Sequence, residues 1–317
     1  MVNICIQIQT HVPHFHYTHG LIRSLLDKTD IVTKKIPIYI AFDNKESSDM
    51  YYSKYQYEYS EVYNLLIDEI ISSMELPYRE TKNTLFKEVI PIQWGAGGHR
   101  NYVSVKRVYS ILELHNLKYT HIWCMDCESL VLKSFSLERI IESNVEKPLL
   151  VIGKNNHGVK IPQVVKTILN MDYDDKYKNI SIRMNDFWFI HTSYFHKMIY
   201  EIMEKHQKPI SYFMNGSEQS VYEYYLYSLY SENPECVKLV EIQGDLHNNN
   251  LFNQILQSPK YTEDDRNKIA CELNEKYFQY VQSFRGDYYR LTSTSEKGKQ
   301  WLALLDINMA VSNYQGI

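Results

Sequence analysis

The stretch Thr120-His121-Ile122-Trp123-Cys124-Met125-Asp126-Cys127-Glu128-Ser129 decides how this chain is read. An apolar run of strand length that ends in two acids spaced by one residue predicts a buried strand over Tyr119 to Met125, which delivers Asp126-Cys127-Glu128 at its carboxyl end. In open α/β sheets that edge is where ligands bind. Where such a strand splays into a loop, both carboxylates can reach one ion, and hard divalent cations such as Mg²⁺ or Mn²⁺ take oxygen ligands together with substrate phosphates. The same acidic pair also reads as ordinary solvated turn residues.

Moving toward the N-terminus, a helix of about Tyr102 to His115 carries Val105, Val108, Tyr109 and Leu112 on one side. Ahead of it, Glu88 to Ile92 reads as a strand that runs into Trp94-Gly95-Ala96-Gly97-Gly98-His99-Arg100. Glycines let backbone amides approach a phosphate closely, and a helix N-terminus favours negative charge. The order G-x-x-x-x-G-K-[ST] is absent, which disfavours ATP hydrolysis, and the dinucleotide fingerprint does not follow the first strand. A turn leading into a solvated basic helix face is the other reading of this segment.

Further back, Asn3 to Gln9 and Ile36 to Phe42 read as the first two strands, the second ending in Asp43-Asn44-Lys45, with a helix near Thr18 to Leu26 between them. Val62, Leu65, Leu66, Ile70 and Met74 predict one helix from about Tyr59 to Met74, stopped by Pro77. Beyond the acidic motif, strands are expected at Leu149 to Gly153, Phe187 to Ile190 and Val237 to Ile242, with helices around Tyr194 to His206 and Ser217 to Tyr230. Alternation of short β-branched runs with helical patterns is the signature of βα units and an α/β fold with a mostly parallel sheet flanked by helices. The expected division is residues 1–242 as the binding and catalytic domain and residues 243–317 as a helical C-terminal extension packed on it.

The apolar strand, the basic helix before it and the Asp-x-Glu ending resemble the GT-A glycosyltransferases, especially bacterial and viral transferases that build surface polysaccharides. Glu128 stands where the family's motif has a second Asp, which keeps the charge and lengthens the arm. The resemblance covers the first two thirds of the chain and weakens after Gly216. It implies a Rossmann-like GT-A fold, a nucleotide diphosphate sugar as donor substrate, and a metal held by Asp126 and Glu128 with His247 as third ligand. It also implies Thr10, His11 and Asp43 near base and ribose, and Arg100 with Lys106 or Arg107 at the phosphates, beside Gly97 and Gly98.

On the acceptor side, an inverting transferase needs a general base beside the acceptor hydroxyl, and Glu218 and then Asp186 are the candidates. Glu218 also reads as a helix N-terminal acid that complements the macrodipole. Cys124-Met125-Asp126-Cys127 is formally C-x-x-C, but a redox pair needs its first cysteine at a helix N-terminus, and these lie on a strand whose side chains alternate. His11, His14, His16 and His19 match no standard zinc spacing.

Composition narrows the classes. Apolar residues at 44% and charged residues at 23% over 317 residues predict a chain that folds throughout. A net charge of −4 offers no general attraction to nucleic acid. No run of about 18 apolar residues occurs and the start has no basic leader, so a cytoplasmic chain with at most peripheral membrane association is expected. Five cysteines in a chain this long fit a reducing compartment rather than a disulfide framework. The expected activity is metal-assisted sugar transfer to a glycan or lipid-linked saccharide acceptor. A metal-dependent nucleotidyltransferase and a non-catalytic carbohydrate-binding protein are the alternatives.

Overall fold

The computed structural model describes residues 2–81, 99–127, 129–131, 134, 136–137, 149–153, 181–182, 188–207, 225, 238–242 and 281–283. Its centre is a five-stranded sheet in the order β3-β2-β1-β4-β8, built from β1 (Ile4–Gln9), β2 (Ile38–Phe42), β3 (Val62–Leu66), β4 (His121–Asp126) and β8 (Trp188–His191). The first four strands run parallel and β8 is antiparallel to β4. The sheet is therefore mixed and mostly parallel, with helices on both faces, as the sequence predicts.

Alternation along the strands sorts two cores. Ile6 and Ile8 of β1, Ile38, Ile40 and Phe42 of β2, and Trp123 and Met125 of β4 bury against Leu21, Ile22 and Leu25 of α1 (Phe15–Lys28). Cys5, Tyr39, Ala41, Ile122 and Cys124 lie in the other core with α5 (His99–Asn116) and α6 (Thr192–His206). Residues Val105 to Leu112 of α5 are buried without interruption, so this helix is enclosed all round. Consequently its polar residues there must find partners inside the protein.

Short helices complete this half: α2 (Ile31–Lys34), and α3 (Lys45–Tyr52), whose N-terminus is closed by a capping box between Asn44 and Ser47. The single helix expected over Tyr59 to Met74 is corrected. Val62–Leu66 is the edge strand β3, and the helix α4 runs Ile67–Thr81 with Pro77 inside its bounds. The spacing of Val62, Leu65 and Leu66 fits a helix, but the segment pairs in parallel with β2 from Ile38↔Val62 to Phe42↔Leu66, which satisfies the backbone groups that face β2.

Two smaller sheets are described: β5 (Ser129–Val131) with β10 (Val281–Ser283), antiparallel, and β7 (Ser181–Ile182), β6 (Leu149–Gly153) and β9 (Lys238–Ile242) in the order β7-β6-β9. β5 is tied to α1 by the Val131 amide donating to Ser24 Oγ at 3.1 Å. Tyr225 is the described, helical part of the helix expected at Ser217 to Tyr230. The strand expected at Glu88 to Ile92 lies outside the described residues, as does the C-terminal extension apart from Val281–Ser283. Among the described residues no helix is long and apolar enough to cross a membrane.

Candidate functional site

Strand order reverses between β1 and β4: the chain lays β2 and β3 on one side of β1, then returns to place β4 on the other. At such a switch point the loops leave in opposite directions and open a crevice at the carboxyl edge. The residues that reach this edge are Gln9 at the end of β1 and Thr10 after it, Asp43 after β2, and Asp126 at the end of β4 with Cys127 after it.

Two cations rise to meet the acids from α5. Lys106 is 1% exposed and Arg107 fully buried, an expensive placement for either charge unless each is paired. Lys106 Nζ forms an ion pair with Asp43 and donates to the carbonyl of Thr10. Arg107 Nη2 donates to Asp126 Oδ1 at 2.5 Å. Successive helix residues thus straddle β1, one serving the end of β2 and the other the end of β4. Burial pushes the Lys106 ammonium below the usual lysine range, against the pull of Asp43. Asp68, whose amide donates to the Asp43 carbonyl at 3.0 Å, is pushed up by burial and by the Asp43 charge, with Lys106 opposing.

Asp126 receives a second donor. Gln9 sits opposite it in the parallel register, and its Nε2 donates to the same Oδ1 at 2.7 Å. Thr10 is turned inward, its hydroxyl sharing a hydrogen bond of 2.5 Å with that of Thr18. His11 is half-buried and packs ring against ring with His14 at 3.9 Å, and His14 Nδ1 lies 3.7 Å from Cys127 Sγ. Cys127 packs on the α1 side, whereas Cys124 lies in the α5-side core, where burial pushes its thiol up to about 12. The two thiols face opposite cores, which accords with the rejection of a redox pair.

Of the residues picked out in the sequence, Thr10, His11, Asp43, Lys106, Arg107 and Asp126 come together at this edge. Arg100 falls in the first turn of α5, though its side chain is outside the described residues. Gly97, Gly98, Glu128, Asp186, Glu218 and His247 also lie outside them. Among the described residues no three His, Cys, Asp or Glu side chains gather as a metal-binding set, and Asp126 is the described member of the expected one. A carboxylate is the oxygen donor that Mg²⁺ or Mn²⁺ takes. Sequence reasoning missed Gln9, although the pattern Cys5-Ile6-Gln7-Ile8-Gln9 carried the signal: two glutamines on one face of a strand buried on both.

No protein-family model and no curated protein matches the sequence. Among solved structures, the chain is similar to mouse xyloside xylosyltransferase 1 in its apo form, at 10% identity over 90% of this chain and 98% of that one, with a TM-score of 0.38. It is similar to the S. cerevisiae mannosyltransferase Ktr4p in complex with GDP, at 12% identity over 71% and 66%, TM-score 0.41. It is also similar to an active-site mutant of LgtC, at 10% identity over 95% of both chains, TM-score 0.43. Likenesses this distant transfer no residue roles, and the chemistry of the crevice rests on its own side chains.

Proposed function

We propose that this chain is a nucleotide-sugar-dependent glycosyltransferase that moves a sugar from a nucleotide diphosphate sugar to a hydroxyl of a glycan or lipid-linked saccharide. The observation that carries the reading is Asp126 at the carboxyl tip of β4, beside β1 where the strand order reverses, with buried cations locked beneath it and beneath Asp43. A departing nucleoside diphosphate develops charge that must be offset in a site protected from water. Mn²⁺ or Mg²⁺ held by Asp126 and Glu128, with His247 as a further ligand, would supply that charge.

In this reading Lys106 and Arg107 act through the acids they hold. Each cation offsets one carboxylate, which lowers the negative field that a diphosphate would otherwise meet, and each fixes its carboxylate without solvent reorganisation. The amides of Gly97 and Gly98 and the side chain of Arg100 are assigned to the phosphates, and His11 and Thr10 to the nucleoside end. Glu218, or in second place Asp186, is assigned as the base that takes the acceptor proton. Residues 243–317 are assigned as an extension of the same domain, and a lipid-linked acceptor would place the chain at the cytoplasmic membrane surface.

The test is incubation of the purified chain with a panel of nucleotide sugars and Mn²⁺. Slow release of the nucleoside diphosphate from one donor is expected, and Asp126→Asn should lower it by roughly a hundredfold or more, the scale of losing a group that stabilises transition-state charge. Release of pyrophosphate from a nucleoside triphosphate would identify a nucleotidyltransferase instead. Turnover that survives Asp126→Asn unchanged would overturn the assignment.

A further inference from the structure

We infer that Gln9 is a positioning residue of this site, setting the Asp126 carboxylate for the ligand rather than merely filling the core. The inference rests on the reading of Asp126 given above and adds to it a residue that no motif marked. Gln9 is 2% exposed and stands in register with Asp126 across the β1–β4 pair. Its Nε2 and Arg107 Nη2 converge on Oδ1, one from the neighbouring strand and one from α5, so the carboxylate is held by donors from two elements. Two such bonds restrict the rotation of the carboxyl group more tightly than one.

The other end of the amide makes the case sharper. Among the described residues Gln9 Oε1 is buried without a hydrogen-bond partner, a cost that methionine or leucine would not carry at the same place. Cys5 and Gln7 share this face of β1, and Gln7 is fully buried with neither amide atom partnered among the described residues. Among the described residues Gln7 makes no hydrogen bond to an acid, so it serves as an internal comparison: a buried glutamine on the same strand, one step further from the edge.

The experiment is calorimetric titration of the full chain with Mn²⁺–UDP and with Mn²⁺–GDP, alongside donor hydrolysis. Gln9→Met keeps the shape and removes the donor. It is expected to weaken nucleotide binding, the apparent Mn²⁺ affinity and KM for the donor by roughly tenfold or more, with kcat at saturation changed less than about threefold, the scale of one hydrogen bond to a charged group. Gln9→Leu, apolar and likewise unable to donate, is expected to bind no better than Gln9→Met, and it carries the test should Gln9→Met fail to fold by circular dichroism. Gln7→Met is expected to bind within twofold of the unmodified chain. Binding within twofold for both Gln9 variants, while Asp126→Asn loses it, would overturn the role of Gln9 and leave the site reading intact. Binding unchanged in Asp126→Asn, or absent from the unmodified chain with both nucleotides, would overturn the site reading and this inference together.

Discussion

At the scale of single residues, the arrangement of Lys106 and Arg107 determines what the crevice costs to build. Both cations are enclosed, so their worth lies in the pairs they make, and breaking a buried pair from one side leaves an uncompensated charge. Arg107→Met is therefore expected to destabilise the fold by about 3–5 kcal/mol, read as a shift of the urea midpoint at constant slope. Arg107→Lys should lose less, because it keeps the charge while giving up the planar fork. Adding Asp126→Asn to Arg107→Met should recover much of the loss, since both charges are then gone. Equal losses in the single and double variants would show that Arg107 contributes packing and not charge. The basic pair was legible in the sequence as Lys106-Arg107, but not its direction. A helix enclosed all round has no polar face from which to read where its cations point.

At the scale of elements, legibility followed burial. β1, β2 and β4, buried on both faces, stand out in the sequence within two residues of their observed bounds. β3 does not, because Tyr63 and Asn64 of this edge strand are exposed and only Leu65 is buried, which leaves a helix-like spacing behind. α3 escaped for another reason: its eight residues, Lys45–Tyr52, are mostly polar, and its signal is the cap at Asn44 rather than a periodicity. The antiparallel β4–β8 pair carries a consequence of its own. His121 is paired in register with His191, their rings 4.5 Å apart, and burial with the neighbouring His191 pushes His121 down from 6.5 to about 4. Phe189 and the Thr120 hydroxyl face the same ring, and among the described residues no carboxylate favours its charged form. A histidine whose folded value is depressed leaves stability intact above pH 6.5 and drains it as pH falls toward 4, by roughly 3 kcal/mol in full. His191, and His115 and His196 between α5 and α6, are depressed by burial in the same direction. Urea midpoints of the unmodified chain and of His121→Phe are expected to diverge across that window, with the variant losing less on acidification. Parallel curves would show that this histidine does not titrate with unfolding.

At the scale of the whole molecule, four parallel strands and one reversal of order are enough to place acids and cations on one edge. The sequence displays the acids, since Asp43 and Asp126 each end an apolar run, but β1 and β4 are adjacent strands separated by more than a hundred residues of chain. Adjacency of that kind is a property of the topology, and no local pattern encodes it; only the sheet order joins Gln9 to Asp126. The same long separation makes the crevice a place where binding is felt globally. A ligand that bridges the tips of β1, β2 and β4 holds together elements that must all come apart on unfolding, so its free energy adds to that of the fold. At a hundredfold excess over its dissociation constant, a nucleotide bound with Mn²⁺ should stabilise the folded chain by about 2.7 kcal/mol. With an unfolding entropy of about 2.1 cal/mol/K per residue, that corresponds to a rise in Tm of roughly 4–5 °C, measurable by thermal denaturation with and without Mn²⁺–UDP or Mn²⁺–GDP. The rise should vanish in Asp126→Asn and persist in Gln7→Met, each compared with its own ligand-free midpoint. A rise of the same size in Asp126→Asn would place the nucleotide somewhere other than the crevice between β1 and β4.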